Sequence, residues 1–249
     1  MEPTIFKPGA YKTPGVCKGA GGIYKGRGVY NDGAGGGGES PDIPDEYKDQ
    51  FKQVNYIQSN TSHVFINGIS CKSSDLLKLN YYIMSAQDQT NNLFRMTTSS
   101  NNAGSVGYLL RINPRYYANQ CNYQIQIGGS AITSKVYRYS IDNPIIGAYN
   151  LLVNVPSSYI NDVQFNDNLS VGTDYSLVFI ALLGFGTTYC KNVALGIIEI
   201  LDKDSLQTKV KLVPCQNKNT GTYGFFDLQQ SQFFGNHSGT DTLNEFIPS

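Results

Sequence analysis

Short apolar stretches separated by polar turns make up most of the chain from about residue 53 onward. Runs rich in Val, Ile, Tyr and Thr alternate with clusters of Asn, Gly, Ser and Pro. This pattern is typical of β-strands joined by turns. It predicts strands at residues 53–58, 63–69, 76–85, 93–98, 106–112, 123–127, 135–141, 149–155, 162–165, 175–183, 193–201 and 209–213.

Some of these stretches predict more than a strand. Residues 123–127 alternate polar and apolar positions, which indicates one buried face, and two glycines lead from them toward a hairpin partner at 135–141. A second hairpin is predicted between residues 199–201 and 209–213. Residues 175–183 are nearly all apolar, as expected of a central strand that is buried on both faces.

No long helical segment interrupts the strands, so the predicted fold class is all-β: an antiparallel sandwich at residues 53–213. A single jelly roll is the most economical arrangement at this length. A sandwich with immunoglobulin-like connections is the alternative. The absence of tryptophan counts against it, because the Cys–Trp–Cys pattern of those domains cannot form.

The first 38 residues differ from the rest and are interpreted as an extended, Gly-rich N-terminal arm. A Gly-x-Tyr phrase occurs in it three times, and the segment ends in a run of glycines at 35–38. Residues 39–52 are interpreted as a linker. In that linker Pro44 and the acidic residues after it permit one or two helical turns, although the same stretch could also begin a strand.

The arm has too little apolar surface to fold alone, because ordering a glycine-rich backbone costs more entropy than a few tyrosines can offset. It is therefore either a solvated tail or a strap that orders on a partner, for example by adding a strand to a sheet edge. Tyrosine and lysine that recur with the glycines favour the strap. The residues expected to contact the partner are Tyr11, Lys12, Tyr24, Lys25 and Tyr30.

The C-terminal residues 214–249 predict a second irregular segment. Aromatic residues lie in it among Gly, Asn and Gln, and they either pack back on the domain or are offered to a neighbour. The sequence leaves both readings open. The aromatic residues are Tyr223, Phe225, Phe226, Phe233, Phe234 and Phe246.

Composition restricts the class of partner. Charged residues are only 15% of the chain, and a surface rich in Asn and Tyr suits a protein that is largely covered by other protein. The arm is mildly basic and the remainder mildly acidic, and neither is extreme enough to indicate a dedicated nucleic-acid binder. No apolar run is long enough to span a bilayer. The five cysteines, without a CxxC pair or a signal peptide, indicate reduced thiols made in a cytosol.

No motif indicates catalysis, a cofactor site or a metal site, and we expect none. The two histidines, His63 and His237, are far apart in sequence and have no ligand spacing around them. His237 stands beside Ser238, but no third group is evident that would orient such a pair. The glycines at 33–38 satisfy GxGxxG only trivially, with no strand before them and no helix start after them.

Other polar and aromatic positions have plain structural readings. Asp202 and Asp204 resemble turn residues, whose carboxylates accept hydrogen bonds from nearby backbone. The doublets Tyr81–Tyr82 and Tyr116–Tyr117 could belong to a binding site. Adjacent strand residues point to opposite faces, so only one tyrosine of each doublet could line such a site.

The Gly-Tyr-Lys phrases of the arm, the single β domain and the Asn-, Tyr- and Ile-rich composition together resemble the small jelly-roll penton and minor capsid proteins of large double-stranded DNA viruses and virophages. The resemblance is one of architecture rather than of motif. It implies a virion subunit without catalytic activity, made in the host cytoplasm. It also implies a homo-oligomer, with a pentamer expected, and other capsid proteins as further partners.

Two other functions remain open from the sequence. One is a receptor- or glycan-binding β-sandwich module. The other is a β-fold hydrolase whose carboxylates lie far apart in sequence. The empty search for catalytic motifs and the arm together favour the structural virion protein.

Overall fold

The computed structural model of the chain describes residues 43–59, 61–85, 91–98, 107–115, 120–129, 133–138, 145–185, 188–238 and 242–248. Pro41–Ser249 is one compact unit. None of the described residues belongs to a helix long and apolar enough to cross a membrane.

Antiparallel strands make up most of the described chain, and each of the predicted strands overlaps an observed one. The strands are β1 Phe51–Gln53, β2 Tyr56–Gln58, β3 His63–Lys72, β4 Leu76–Ile83, β5 Asn91–Thr97, β6 Gly107–Arg115, β7 Gln120–Ile127, β8 Thr133–Arg138, β9 Gly147–Asn154, β10 Ser157–Ile160, β11 Val163–Asn166, β12 Ser176–Leu182, β13 Gly184–Phe185, β14 Thr188–Tyr189, β15 Val193–Leu201, β16 Thr208–Asn217, β17 Tyr223–Asp227, β18 Gln232–Ser238 and β19 Asn244–Phe246.

Strand pairing defines a single jelly roll. Four antiparallel pairs are nested in sequence, β2 with β15, β3 with β12, β4 with β9 and β5 with β6. These four pairs form one long antiparallel ribbon. When the ribbon folds over, β15 lies beside β4 and β12 lies beside β5. The result is a first sheet in the order β2-β15-β4-β9 and a second sheet in the order β3-β12-β5-β6, which is the double Greek key of a jelly roll. The predicted fold class is confirmed.

The remaining strands extend both sheets. The hairpin β7–β8 continues the second sheet beyond β6, and β10–β11 continues the first sheet beyond β9. On the other side of the first sheet, β16 and β17 follow β15. Strand β18 pairs with β17 and with β3, so it joins the two sheets.

The main core lies between the two sheets and follows from alternation along the strands. In β7 every second residue is buried, as the sequence predicted. Tyr81 on the first sheet and Tyr123 on the second are both fully buried, and their hydroxyl groups are hydrogen-bonded to each other across the core. Tyr81 also stacks on Tyr149, with the ring centroids 5.6 Å apart.

Both predicted hairpins are present, as β7–β8 and β15–β16. The predicted central strand is β12, which lies between β3 and β5. Its second half is buried on both faces. Phe179 and Ala181 pack on the outer side with Phe65, whereas Val178 in the first half is 42% exposed.

The linker does not form two helical turns. It forms one 3-10 turn at Asp45–Tyr47, preceded by Pro44, and the chain becomes a strand at Phe51. Tyr47 and Phe51 of this segment pack on a common hydrophobic cluster outside the main core.

The prediction of an irregular C-terminal segment from residue 214 is wrong. Strand β16 continues to Asn217, and β17, β18 and β19 follow it. Phe225 is buried in the main core while its neighbour Phe226 is buried on the opposite face of the same strand. Burial on both faces removes the alternation by which a strand is recognised in sequence.

A glycine substitution tests how tightly one end of the sandwich is packed. Gly128 has φ +59°, and a Cβ there would collide with the carbonyl group of Thr173. Gly221 has φ +71° but open space around its Cα. We expect Gly221→Ala to cost about 1–2 kcal/mol from the left-handed conformation alone, and Gly128→Ala to cost roughly 2 kcal/mol more because backbone must also shift. Urea unfolding of both variants checks this, and equal losses would contradict it.

Candidate functional site

The arm residues that the sequence singled out, Tyr11, Lys12, Tyr24, Lys25 and Tyr30, lie outside the described residues. The structure does describe the segment into which the arm leads. This segment begins at Ile43, and its attachment to the domain is the first candidate feature for assembly.

Ile43 and Phe51 are buried in a hydrophobic cluster that is separate from the main core. Their partners are Val213, Cys215 and Phe226 on the outer side of β16 and β17. We call this group the root cluster. Because β16 and β17 bury their other faces in the main core, the segment from Ile43 onward covers a sheet surface that would otherwise be exposed.

Aromatic contacts and hydrogen bonds hold the root cluster. The ring of Phe226 lies 4.9 Å from Tyr47 and 5.2 Å from Phe51, between centroids. Phe51 also stacks on Phe233 at 5.2 Å. The amide of Val54 donates to the carbonyl of Pro214 over 3.0 Å, and the strand pairing of β1 with β16 aligns Phe51 with Asn217. The segment that begins at Ile43 is therefore joined to a strand of the first sheet.

A second aromatic group lies further along the same sheet. Tyr82 is 4.9 Å from Phe246 and 5.7 Å from Tyr56, between ring centroids. Tyr81, its neighbour in the doublet, points into the core instead, so the prediction of opposite faces is confirmed. The second doublet, Tyr116–Tyr117, lies outside the described residues.

Of the two readings of the aromatic tail, packing back on the domain is the one observed. Phe225, Phe226 and Phe234 are buried, and Phe233 and Phe246 are half-buried in the two aromatic groups just described.

Charged side chains form two small networks on the outer side of the first sheet. Glu199 is buried, pairs with Lys78 at 2.9 Å, and also accepts a hydrogen bond from Thr208 at 3.2 Å. Lys209 lies between two carboxylates, at 2.9 Å from Asp75 and 2.8 Å from Asp202. These networks join neighbouring strands, and they bring acid and base together in pairs rather than in a cleft.

Asp202 also behaves as the predicted turn residue. Its Oδ1 accepts hydrogen bonds from the amides of Asp204 and Ser205, at 3.1 Å and 2.9 Å. The hydrogen bond from Lys209 and those from Ser205 hold the pKa of Asp202 well below its usual range.

The pKa of Asp227 is shifted in the opposite direction. Its carboxyl group is buried, and this burial raises its pKa even though Oδ1 accepts a hydrogen bond from the amide of Gln229 at 2.8 Å.

The residues examined for chemistry are placed as follows. His63 is buried with its ring 4.4 Å from that of Phe65, between centroids. Within the described ranges no three His, Cys, Asp or Glu side chains are grouped so that they could hold a metal ion. The described cysteines are free, buried thiols, and burial raises the pKa of Cys71 and of Cys215 to about 12. The side chains of His237 and Ser238 lie outside the described part.

Sequence reasoning missed the root cluster and the charge networks. A signal for the root cluster was present in the doublets Phe225–Phe226 and Phe233–Phe234, since adjacent buried residues require cover on both faces of a strand. The charge networks had no such signal, because Lys78 and Glu199 are brought together only by the pairing of β4 with β15.

Comparison with known proteins returns a similarity of structure alone. No family model matches the sequence, and no curated protein matches it. Among solved structures, the chain is similar to a native heptameric SAP-like pentraxin from Limulus polyphemus. That similarity has a TM-score of 0.46 and 11% sequence identity, and it covers 62% of this chain and 76% of the pentraxin chain.

The root cluster can be tested by truncation of its central ring. Phe51→Ala removes contacts with both Phe226 and Phe233, so we expect a loss of about 3 kcal/mol in the free energy of unfolding. Phe246→Ala is the control, because that half-buried ring lies in the other aromatic group; its loss should be about half as large. Chemical denaturation measures both. Equal losses would show that the root cluster contributes no special stability.

The two perturbed aspartates predict opposite responses to pH. Asp227 has a raised pKa in the folded state, so the stability it contributes is present in acid and is lost as the pH rises above about 4. Asp227→Asn should therefore raise the relative stability increasingly toward neutral pH. Asp202 has a lowered pKa, so the stability it contributes is fully present at neutral pH and begins to be lost only as the pH falls below about 4; Asp202→Asn should destabilise most at neutral pH and progressively less below about pH 4. Thermal melts from pH 3 to 7 check this, and slopes of the same sign for both variants would refute it.

Proposed function

We propose that this chain is a structural virion protein, a penton or minor capsid subunit that assembles through its N-terminal arm and the faces of its jelly roll. The observation that supports this most is the root cluster. It attaches the segment that follows the arm to the outer side of the first sheet, through Ile43, Phe51 and Phe226. A strap that orders on a neighbour is useful for assembly only if its near end is fixed to its own domain.

The fold supports the same proposal in a weaker way. Jelly-roll domains occur in viral capsids and in lectins, so the fold is compatible both with this proposal and with the second candidate. In this proposal the protein forms a homo-oligomer, for which a pentamer is expected, and other capsid proteins bind around it. It is made in the host cytoplasm, is found in the virion and has no enzymatic role.

A receptor- or glycan-binding module is the second candidate. Half-buried amide side chains line the outer side of β7, at Asn122, Gln124 and Gln126. Oδ1 of Asn122 is buried without a hydrogen-bond partner among the described residues. Amides on a flat sheet can hydrogen-bond to sugar hydroxyl groups. A glycan array probed with the full chain distinguishes this candidate, since an assembly protein should bind no glycan on it.

Deletion of residues 1–38 tests the proposed function directly. We expect the thermal midpoint to stay within about 2 °C of the full chain, because the described core begins at Ile43. Assembled particles or rings should be lost in light scattering and electron microscopy. Unchanged assembly of the deletion variant would refute the strap.

A variant that keeps the full length of the arm separates the contribution of its tyrosine side chains from the contribution of its length. In the full chain, Tyr11→Ser, Tyr24→Ser and Tyr30→Ser together should reproduce the loss of assembly, because these rings are large, amphipathic contact groups that recur along the arm. Three substitutions elsewhere in the arm, Ala10→Ser, Ala20→Ser and Ala34→Ser, serve as the matched control and should leave assembly intact.

A further inference from the structure

Basic and acidic residues are segregated in this fold. The six strands of the second sheet, β3, β12, β5, β6, β7 and β8, contain no aspartate or glutamate. They do contain six basic residues, which are Lys72, Arg95, Arg111, Arg115, Lys135 and Arg138. The first sheet, by contrast, pairs its charges in the two networks around Glu199 and Lys209.

Strand geometry places basic side chains on the outer side of the second sheet. Tyr108 and Leu110 of β6 are buried in the core, so Arg111 points away from it. Arg95 lies on the same side of the neighbouring strand, where its partner in register is Leu109. Arg138, on the edge strand β8, is exposed. We call Arg95, Arg111 and Arg138 the basic face.

Two arginines of the basic face, Arg95 and Arg111, interact electrostatically with each other. Burial lowers the pKa of Arg95, and the neighbouring charge of Arg111 lowers it further. Nε of Arg111 is buried and has no hydrogen-bond partner among the described residues. Like charges held close together on a sheet are unfavourable, and a carboxylate from outside would relieve them.

A complementary surface exists elsewhere on the same chain. From residue 139 to residue 190 the sequence contains no Lys, Arg or His, and its charged residues are all aspartates. Three of them, Asp162, Asp167 and Asp174, are exposed. We call residues 161–174 the acidic segment.

The acidic segment is fixed in position by a tight turn and by hydrogen bonds, which favours it as a docking element. Asn161 and Asp162 form the two-residue turn between β10 and β11, with φ values of +47° and +65°. Asp174 accepts hydrogen bonds from the amide and the hydroxyl of Ser74, at 2.9 Å and 2.8 Å. Val163 beside the turn is 57% exposed, so the segment offers apolar contact together with charge.

Charge balance favours a protein partner over a polyanion. The whole chain has a formal net charge of zero, and the arm is net basic, so residues 39–249 are net acidic. A nucleic acid would be attracted by the basic face and repelled by the rest of the domain. A second copy of the chain brings its acidic segment to the basic face without that conflict.

We propose that copies of this chain associate head to tail, with the basic face of one copy against the acidic segment of the next. The two surfaces are different, so the contact is heterologous, and such contacts close into rings or continue as filaments. The inference names the partner for the assembly proposed above and rests on that proposed function.

A charge swap in the full chain tests this contact. The face variant has Arg111→Glu and Arg138→Glu, and the segment variant has Asp162→Lys and Asp167→Lys. Sedimentation should show that each variant alone associates on the order of tenfold more weakly than the unmodified chain. An equimolar mixture should associate more strongly than either variant alone, because a face variant next to a segment variant meets an opposite charge at the contact. A closed ring of five copies cannot alternate throughout, so the recovery is expected as pairs and open chains. Raising the salt concentration should weaken all of these contacts.

A matched control separates the contact from net charge. Lys191→Glu with Lys203→Glu changes the net charge as much as the face variant does, at exposed positions outside the second sheet. It should leave association unchanged, and circular dichroism should show every variant folded. Association that falls equally in the control, or a mixture that associates no more strongly than either variant alone, overturns the proposal.

Two further outcomes identify which idea has failed. If the unmodified chain assembles and neither charge variant weakens it, the interface is overturned while the proposed function stands. If the chain stays monomeric at all concentrations and salt levels, the interface and the proposed function are both overturned. Loss of anionic-glycan binding in the face variant, with association unchanged, would assign the basic face to a glycan and overturn the contact between copies.

Discussion

Burial of two apolar sheet faces against each other is the constraint on which the rest of this structure depends. Alternate residues of β4, β7, β9 and β15 point into the space between the sheets and exclude water from it. Two tyrosine hydroxyl groups there, those of Tyr81 and Tyr123, are hydrogen-bonded to each other across the core. Tyr108 has no such partner among the described residues, and burial raises its pKa. Nested strand pairs, which connect residues far apart in sequence, hold this arrangement closed.

Once the sandwich is closed, its outer faces are free to differ from each other. On the first sheet, acids and bases from separate strands meet in pairs, and the segment around Phe51 covers the outer side of β16 and β17. The second sheet has basic residues without acidic ones on its strands. The first sheet thus pairs its charges within the chain, whereas the strands of the second sheet have basic residues and no acidic ones. That difference links the fold to the proposed role in assembly.

The root cluster connects the packing of the sandwich with the proposed role of the arm in assembly. A Gly-rich arm supplies little stability of its own, so its usefulness depends on where it is attached. Ile43 and Phe51 fix the end of the linker to β16 and β17, which are themselves packed on the main core.

Local periodicity in the sequence by itself determined the fold class of this protein and the positions of most of its strands. Alternation in 123–127 and the turn chemistry at Asp202 depend on neighbouring residues only, so they could be predicted. The strands around Phe225 and Phe234 could not be predicted in this way, because their burial on both faces depends on segments that are distant in the chain. The candidate functional site likewise depends on contacts between residues that are distant in the chain. The pairing of Lys78 with Glu199 and the root cluster were decided by the tertiary structure, since strand pairing determines which distant side chains share a surface.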